Sequence, residues 1–264
     1  RRAMQVIAQQ PATALGEVLS QSQVRTFTEC SARWMFKYSW ELPDPPTPAL
    51  TLGDAFHAAM EANFRQKIET RKDLPVAEVA QAYRRAFAER AGETQFGADD
   101  PATVEAKGAE LVALYMREAA PRIQPRAVEV EVEGKIAGVR VRGRIDLVDW
   151  AGRIVEFKTS SRKPSGITSQ NAFQLATYAR LVEGATGETR VDTLVKTKLP
   201  QLVQIGHQVN GQDYLATERL YPLAQAAMRE GFYYPNRNSV LCSRRNCPFW
   251  SACEDEFGGR VEAV

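Results

Sequence analysis

The residues of this chain best suited to chemistry are Asp146, Glu156 and Lys158. They lie in Val139-Arg-Val-Arg-Gly-Arg-Ile-Asp-Leu-Val-Asp149, then Trp-Ala-Gly, then Arg153-Ile-Val-Glu-Phe-Lys-Thr159. Side chains two apart on a strand share a face, so Glu156 and Lys158 point one way while Val155 and Phe157 point into a core. Asp146 joins them only if it lies directly opposite Glu156 across a hairpin, which requires an odd-numbered loop. Trp150-Ala151-Gly152 supplies one. A three-residue loop favours Asp at the first turn position and Gly at its left-handed end, and Asp149 and Gly152 stand there. Two carboxylates ~5 Å apart repel unless a cation fills the gap. A hard divalent ion such as Mg²⁺ or Mn²⁺ suits these oxygen ligands, can acidify a bound water and can neutralise charge on a phosphodiester. Lys158 would then position the attacking water or stabilise the phosphorane oxygens. On the hairpin alone, a solvated cross-strand salt-bridge network is an equally good reading.

A second set of candidate ligands is the four cysteines, Cys30 and Cys242-x4-Cys247-x5-Cys253. The N-terminus lacks the basic, apolar, small-residue order of an export signal, so the expected location is cytoplasmic, where thiols stay reduced. Metal binding is then the leading explanation. Three clustered thiolates and one remote one can close a site that ties the two chain ends together. Zinc and a [4Fe–4S] cluster both accept four thiolates, although the spacing is wider than the two-residue gaps of zinc ribbons.

The elements that must position these groups can be read from periodicity. Residues 1–21 read as a loosely attached leader, and the rest, 22–264, as one domain. From Ser22 a helical stripe runs through Val24, Phe27, Cys30, Trp34 and Tyr38 until the prolines at 43–48 break it. A second helix over 51–68 repeats Phe56, Met60, Phe64 and Ile68, with His57 one step round. Helices near 76–91 and 102–120 complete a helical lobe over about 51–120. The period then changes to two, predicting strands at 127–133, 136–149 and 153–159. A helix from Ser169 to Glu183, stopped by Gly184, precedes strands near 191–198 and 202–209, so the sheet core covers about 127–210. A last helix, 211–230, leads into the cysteine tail. The order predicts an α/β fold: a mixed β-sheet flanked by helices, with a helical insertion.

Composition adds limits. A formal charge of +2 means that any surface for a polyanion must be a local patch. No apolar run approaches the ~20 residues of a membrane span. No ATP-binding loop ending in Gly-Lys-Ser/Thr occurs, since Gly138-x4-Gly143 is followed by Arg144-Ile145.

Three motifs together resemble the PD-(D/E)xK nuclease superfamily, whose signature is an acidic residue on one strand and Glu-x-Lys on the next. Gly53-Asp-Ala-Phe-His57 is similar to the helix that contributes a histidine metal ligand in the RecB/AddB-like and Cas4-like branch. Gly143-Arg-Ile-Asp146 and Gln174-Leu-Ala-Thr-Tyr178 match that branch's other wording. The resemblance implies a restriction-endonuclease-like fold, Mg²⁺ or Mn²⁺ held by His57, Asp146 and Glu156, and catalytic roles for Asp146, Glu156, Lys158, Gln174 and Tyr178. Gln174 and Tyr178, four apart, share a helix face and could together touch a phosphate or a base. The sequence around Cys30 and around Cys242, Cys247 and Cys253 resembles the iron–sulfur staple of the same branch, with structural Zn²⁺ as the alternative. The chain departs from that pattern at Ser31, where Pro often follows the first cysteine, and in the longer Cys242-x4-Cys247 gap.

The implied activity is a DNA nuclease, an exonuclease acting on single-stranded or end-containing DNA in repair, recombination or defence. A helicase or another repair or defence protein is an expected partner, and a membrane is not. Arg144, Arg162 and Lys163, with Arg140, Arg142, Arg244 and Arg245, are candidate phosphate contacts. The competing reading is a non-catalytic DNA-binding or assembly subunit that keeps the fold.

Overall fold

The computed structural model describes residues 16–263. The chain packs as two compact units, Pro45–Val132 with Gly143–Tyr214, and residues up to Asp44 with Glu133–Arg142 and Leu215–Val264.

In the larger unit, helix α3 (Pro48–Thr70) starts where Thr47 caps the Leu50 amide and Pro48 occupies the first turn, and it ends at left-handed Arg71. Helices α4 (Val76–Ala91) and α5 (Pro101–Glu118) follow, the latter capped by Asp100. Their apolar stripes enclose Phe56, Phe64, Tyr83 and Tyr115 and close over Leu147, Val155, Phe157 and Leu194 of the sheet. Phe157 stacks on Phe64 at 6.3 Å and meets Tyr115 edge-on at 5.3 Å.

The sheet of this unit runs β3 (Val139–Asp149), β4 (Ile154–Ser160), β5 (Glu188–Val195), β6 (Gln201–Gln208), and β2 (Pro125–Ile136) pairs with β3. β3/β4 and β5/β6 are antiparallel and β4/β5 parallel, which makes the sheet mixed. Helix α6 (Ser169–Leu181) packs on the opposite face against Ile145, Val148, Ile154 and Val191. The larger unit is therefore a mixed sheet between helical layers, as the element order predicts.

In the smaller unit, β1 (Val18–Ser20) pairs in parallel with the start of β3, Leu19 opposite Val141. Residues 18–20 of the expected leader form this strand, and residues 1–15 lie outside the described residues. Helix α1 (Gln21–Glu29) is capped by Ser20 in a reciprocal box with Gln23. The helix expected to continue to Tyr38 breaks at Cys30, which is extended (φ −165°, ψ 105°), and restarts as α2 (Ser31–Trp34) followed by one π-helical turn, Met35–Ser39. The cause lies 200 residues on. The Ser31 hydroxyl accepts from the Tyr234 amide at 2.9 Å and donates to its carbonyl at 3.1 Å, and Asn236 Nδ2 donates to the Glu29 carbonyl at 2.9 Å. The Ala32 amide also donates to the Tyr234 carbonyl at 3.1 Å, so the Glu29 carbonyl and the Ala32 amide, which a continuous helix would pair internally, are bonded to the distant segment instead. Helices α7 (Gly211–Arg229) and α8 (Trp250–Phe257) complete the element list.

Other boundaries shift for local reasons. The strand expected from 136 begins at Val139, because Ala137 (φ 47°) and Gly138 (φ 84°) form a two-residue hairpin turn with both central residues left-handed. Thr168 caps α6, which ends at Leu181 before reaching Gly184. Among the described residues, no helix is long and apolar enough to cross a membrane.

Candidate active site and a cysteine-lined cavity

The β3/β4 hairpin turns through Trp150, Ala151 and Gly152. The Asp149 amide donates to the Arg153 carbonyl, the Gly152 amide donates to the Asp149 carbonyl, and Gly152 is left-handed at φ 81°. The Asp149 carboxylate accepts the Arg153 amide and fixes the turn. Leu147 pairs with Val155 and Val148 with Ile154, a register that carries Asp146 towards Glu156. At Asp146 the backbone ladder gives way to the side chain: Asp146 Oδ2 accepts the Phe157 amide at 2.6 Å. Both carboxylates are buried, with 6% of Asp146 and 3% of Glu156 exposed.

His57 of α3 reaches the same place. Its Nδ1 lies 3.2 Å from Asp146 Oδ1 and 3.3 Å from Glu129 Oε1. His57, Glu129 and Asp146 can each offer a ligand atom within 4.8 Å of the others, and this is the only such group of three or more among the described residues. Glu156, expected as the third ligand, stands outside this trio. The sequence reading missed Glu129. It sits in β2 at φ 46°, a left-handed conformation that is costly for a residue with a Cβ. A bulge there explains why Val128 packs with the α3–α5 core while Val130 and Val132 pack on the α6 side, although uniform alternation would place all three on one face.

Glu156 is engaged from one side only. Its Oε1 accepts from Lys158 Nζ at 2.6 Å and from Gln174 Nε2 at 2.8 Å, while the buried Oε2 has no hydrogen-bond partner. Gln174 links the set: its Oε1 accepts from Lys158 at 3.1 Å and its Nε2 also reaches the Tyr178 hydroxyl at 3.0 Å. Gly143 makes room for that tyrosine. A Cβ at Gly143 would lie 2.7 Å from Tyr178 Cε1, so only glycine lets the ring lie against β3.

The electrostatics follow from crowding acids with few cations. Burial lowers the His57 pKa, but the Asp146 and Glu129 carboxylates outweigh it and hold the imidazole protonated well above its ordinary range. Burial also opposes ionisation of Asp146, yet His57, Lys158 and the Phe157 amide keep its pKa below the usual value. Glu156, desolvated and facing the Asp146 charge, is pushed up to about 7 despite Lys158. A cleft of 380 Å³ opens beside the trio, lined also by Asp54, Glu61, Arg90 and Arg144. Arg144 pairs with Glu129 at 2.8 Å and approaches Glu61 at 3.7 Å.

The other candidate phosphate contacts divide. Arg162 and Lys163 are exposed in the loop after β4, as is Arg245 in the tail. Two others are engaged within the protein. Arg140 pairs with Glu133 at 2.7 Å, and Arg244 pairs with Glu254 at 3.2 Å while lying over the Trp250 ring.

In the smaller unit, Cys30, Cys242, Cys247 and Cys253 line one cavity, and all four are free thiols. The break at Cys30 aims its sulfur at the cavity, where it accepts the Asn236 amide at 3.4 Å. Burial pushes the Cys253 thiol up to about 11 and raises Cys247.

A mixed sheet between helices, with paired carboxylates and a lysine on one hairpin, is the fold and site of a nuclease class. The family model of the PD-(D/E)XK nuclease superfamily matches residues 18–254, and the chain belongs to that superfamily. No curated protein matches it significantly. Among solved structures, a protein from Eubacterium rectale named "Putative exonuclease", crystallised at 2.19 Å resolution, shares the fold with a TM-score of 0.63. It is 16% identical, and the match covers 93% of this chain and 90% of that one. The protein SSO0001 matches at a TM-score of 0.37 and 12% identity over 88% of this chain and 94% of that one, too weak to bear on the fold.

Proposed function

We propose that the chain is a Mg²⁺- or Mn²⁺-dependent deoxyribonuclease, an exonuclease that hydrolyses phosphodiester bonds of single-stranded or end-containing DNA in cytoplasmic repair, recombination or defence. One observation carries the reading: His57, Glu129 and Asp146 converge within 4.8 Å beside Glu156, whose buried Oε2 lacks a partner. One nitrogen and several carboxylate oxygens suit a hard divalent ion, and an acceptor left unpaired in the interior is explained by a cation that uses it. A metal there would acidify water and neutralise charge on the phosphate.

The chain's own groups then divide the work. His57, Asp146 and Glu129 would hold the ion, and Glu156 would add its unpaired oxygen. Lys158, gripped by Glu156 and Gln174, orients the attacking water and offers positive charge to the phosphoryl oxygens. Gln174 has both polar atoms committed to Glu156, Lys158 and Tyr178, so Gln174 and Tyr178 act through Lys158 rather than on DNA. Arg144, Arg162 and Lys163 contact backbone phosphates. The name of the E. rectale protein supports the exonuclease mode by analogy of fold only. A helicase or another repair or defence protein is the expected partner.

The cysteine cavity holds a [4Fe–4S] cluster in this reading. All four cysteines line one cavity, and the gaps between Cys242, Cys247 and Cys253 are wider than the two-residue gaps of zinc ribbons, which favours a cluster over zinc.

The test is degradation of labelled single- and double-stranded DNA with Mg²⁺ or Mn²⁺. Asp146→Ala, with its fold checked by circular dichroism, is expected to lose at least about 10³-fold in rate. Undiminished cleavage by that variant would sink the assignment. Tight binding without cleavage by the wild type would favour the non-catalytic subunit.

A further inference from the structure

Two guanidinium nitrogens in the smaller unit have nothing to bond. Arg33 Nε and Arg237 Nη1 are buried and lack hydrogen-bond partners. Charged donors withdrawn from water without an acceptor are costly, so a fold that keeps two of them needs a reason. Their positions suggest one. Arg33 lies on α2, three residues after Cys30, and lines the cavity with all four cysteines. Arg237 is pinned by its other nitrogen, Nη2, which donates to the Gly258 carbonyl at 2.9 Å just past α8, the helix that carries Cys253.

Each arginine acts on a thiol. Burial raises Cys247, and the Phe249 amide and Arg33 charge pull against it; burial raises Cys253, and Arg237 opposes it. The one carboxylate lining the cavity, Glu29, is already paired with Arg25 at 3.0 Å. Neither orphaned nitrogen is accessible to a polyanion at the surface. Arg33 lines the cavity, so the acceptor that its Nε lacks must sit inside it, and the Arg237 charge bears on Cys253 of the same cavity.

We infer that Arg33 and Arg237 are the built-in counter-ions of an anionic four-thiolate centre, donating through Nε and Nη1 to its sulfur atoms and raising its reduction potential. The inference rests on the cluster reading given above. Four thiolates on a [4Fe–4S]²⁺ core carry a net charge of −2, and reduction by one electron makes it −3. Fixed positive charge favours the more negative state, so it raises the potential, and it also favours thiolate over thiol at the ligands. The Asn236 amide on Cys30 works in the same direction with a smaller charge.

The test uses the full chain purified without oxygen. Iron and sulfide content and absorbance near ~400 nm establish what the wild type holds. Arg33→Met and Arg237→Met remove charge at similar volume, and Arg33→Lys restores the charge without the planar fork. Two readouts are taken: the rate at which a chelator bleaches the centre, and the midpoint of an EPR-monitored redox titration. Both Met variants are expected to bleach about 10–100-fold faster and to titrate at more negative potential. Arg33→Lys should recover most of the potential. Wild-type bleaching and potential in both Met variants overturn the counter-ion role while leaving the cluster reading intact. So does an Arg33→Lys potential equal to that of Arg33→Met. If the wild type carries zinc instead, the cluster reading and the potential claim fail together. The counter-ion role is then scored by zinc release: faster release in the Met variants supports it, and unchanged release overturns it.

Discussion

The two polar centres of this protein differ in what each leaves unpaired. The carboxylate site of the larger unit leaves an acceptor, Glu156 Oε2, while the cysteine cavity of the smaller unit leaves donors, Arg33 Nε and Arg237 Nη1. Native interiors pair nearly all their buried polar atoms, so an orphan beside a cluster of ligand-type side chains carries information. Its sign is the useful part. A leftover acceptor calls for a cation, and a leftover donor calls for an anion. The centres also differ in how they manage charge without a ligand. At the carboxylate site, His57, Lys158 and Arg144 already neutralise the acids, so a metal must displace protons and cations to enter. At the cysteine cavity, neutral thiols would leave the arginine charges uncompensated.

The largest effect that tests this contrast comes from removing the leftover acceptor. Glu156→Gln keeps the volume and leaves an acceptor for Lys158, but places a neutral amide where the free oxygen was. Metal-dependent cleavage is expected to fall by about 10³-fold or more. The same variant tests the electrostatics in metal-free protein. The Glu156 pKa rises on folding from its ordinary 4.5 to about 7, so the folded state binds the extra proton. Its contribution to stability is fully present below about pH 4.5 and is lost as pH rises through about 7. This is on the order of 3 kcal/mol. Urea unfolding of the wild type in a chelator should therefore show stability declining across that window, and Glu156→Gln should flatten the decline. A wild type whose stability is flat there would mean that Glu156 does not carry a buried, destabilising charge.

What the sequence disclosed about these centres follows the range of the forces involved. The hairpin was legible because its determinants are local: Asp149 and Gly152 set a three-residue turn, and strand periodicity then dictates which side chains share a face. The helices of the larger unit were legible from their apolar stripes, and their ends moved only by the few residues over which caps such as Thr47 and Thr168 compete. Glu129 was not legible, because Val128-Glu-Val-Glu-Val132 alternates perfectly and a bulge within it leaves no mark on composition. The break at Cys30 was hidden for a different reason. The segment holds a good helical stripe, and only the distant Tyr234 and Asn236 draw off its backbone bonds. The orphaned arginines are likewise a tertiary fact, since a basic residue near a cysteine reads as an ordinary solvated charge.

A smaller effect sharpens the contrast by moving the carboxylate site without touching a ligand. Gly143→Ala would put a Cβ 2.7 Å from the Tyr178 ring, and the ring must yield. Gln174 hydrogen-bonds to that tyrosine and grips both Glu156 and Lys158, so the displacement reaches the lysine. A misplacement on the ångström scale is worth about 10–100-fold in cleavage rate. Metal affinity, measured by calorimetry, should change little, because His57, Glu129 and Asp146 are untouched. Equal losses in rate and metal affinity would show that the tyrosine supports the metal ligands rather than the lysine.

The smallest effect concerns the strain stored at Glu129. A non-glycine residue at φ 46° is disfavoured by roughly 1–2 kcal/mol, and such strain persists where the surrounding structure and function require it. Asparagine tolerates the left-handed region better than glutamine does. Glu129→Asn and Glu129→Gln both delete the carboxylate and the pairing with His57 and Arg144, so these losses cancel between the two variants. What remains is mainly backbone strain, and metal-free Glu129→Asn should be more stable than Glu129→Gln by about 1 kcal/mol in denaturant unfolding. Both should bind Mn²⁺ more weakly than the wild type. If Glu129→Asn gains nothing over Glu129→Gln, the left-handed bulge costs little, and Glu129 is held in place by its ion pairs rather than against its backbone preference. If either variant binds Mn²⁺ as the wild type does, the trio loses a member, and the unpaired oxygen of Glu156 becomes the stronger candidate for the third ligand.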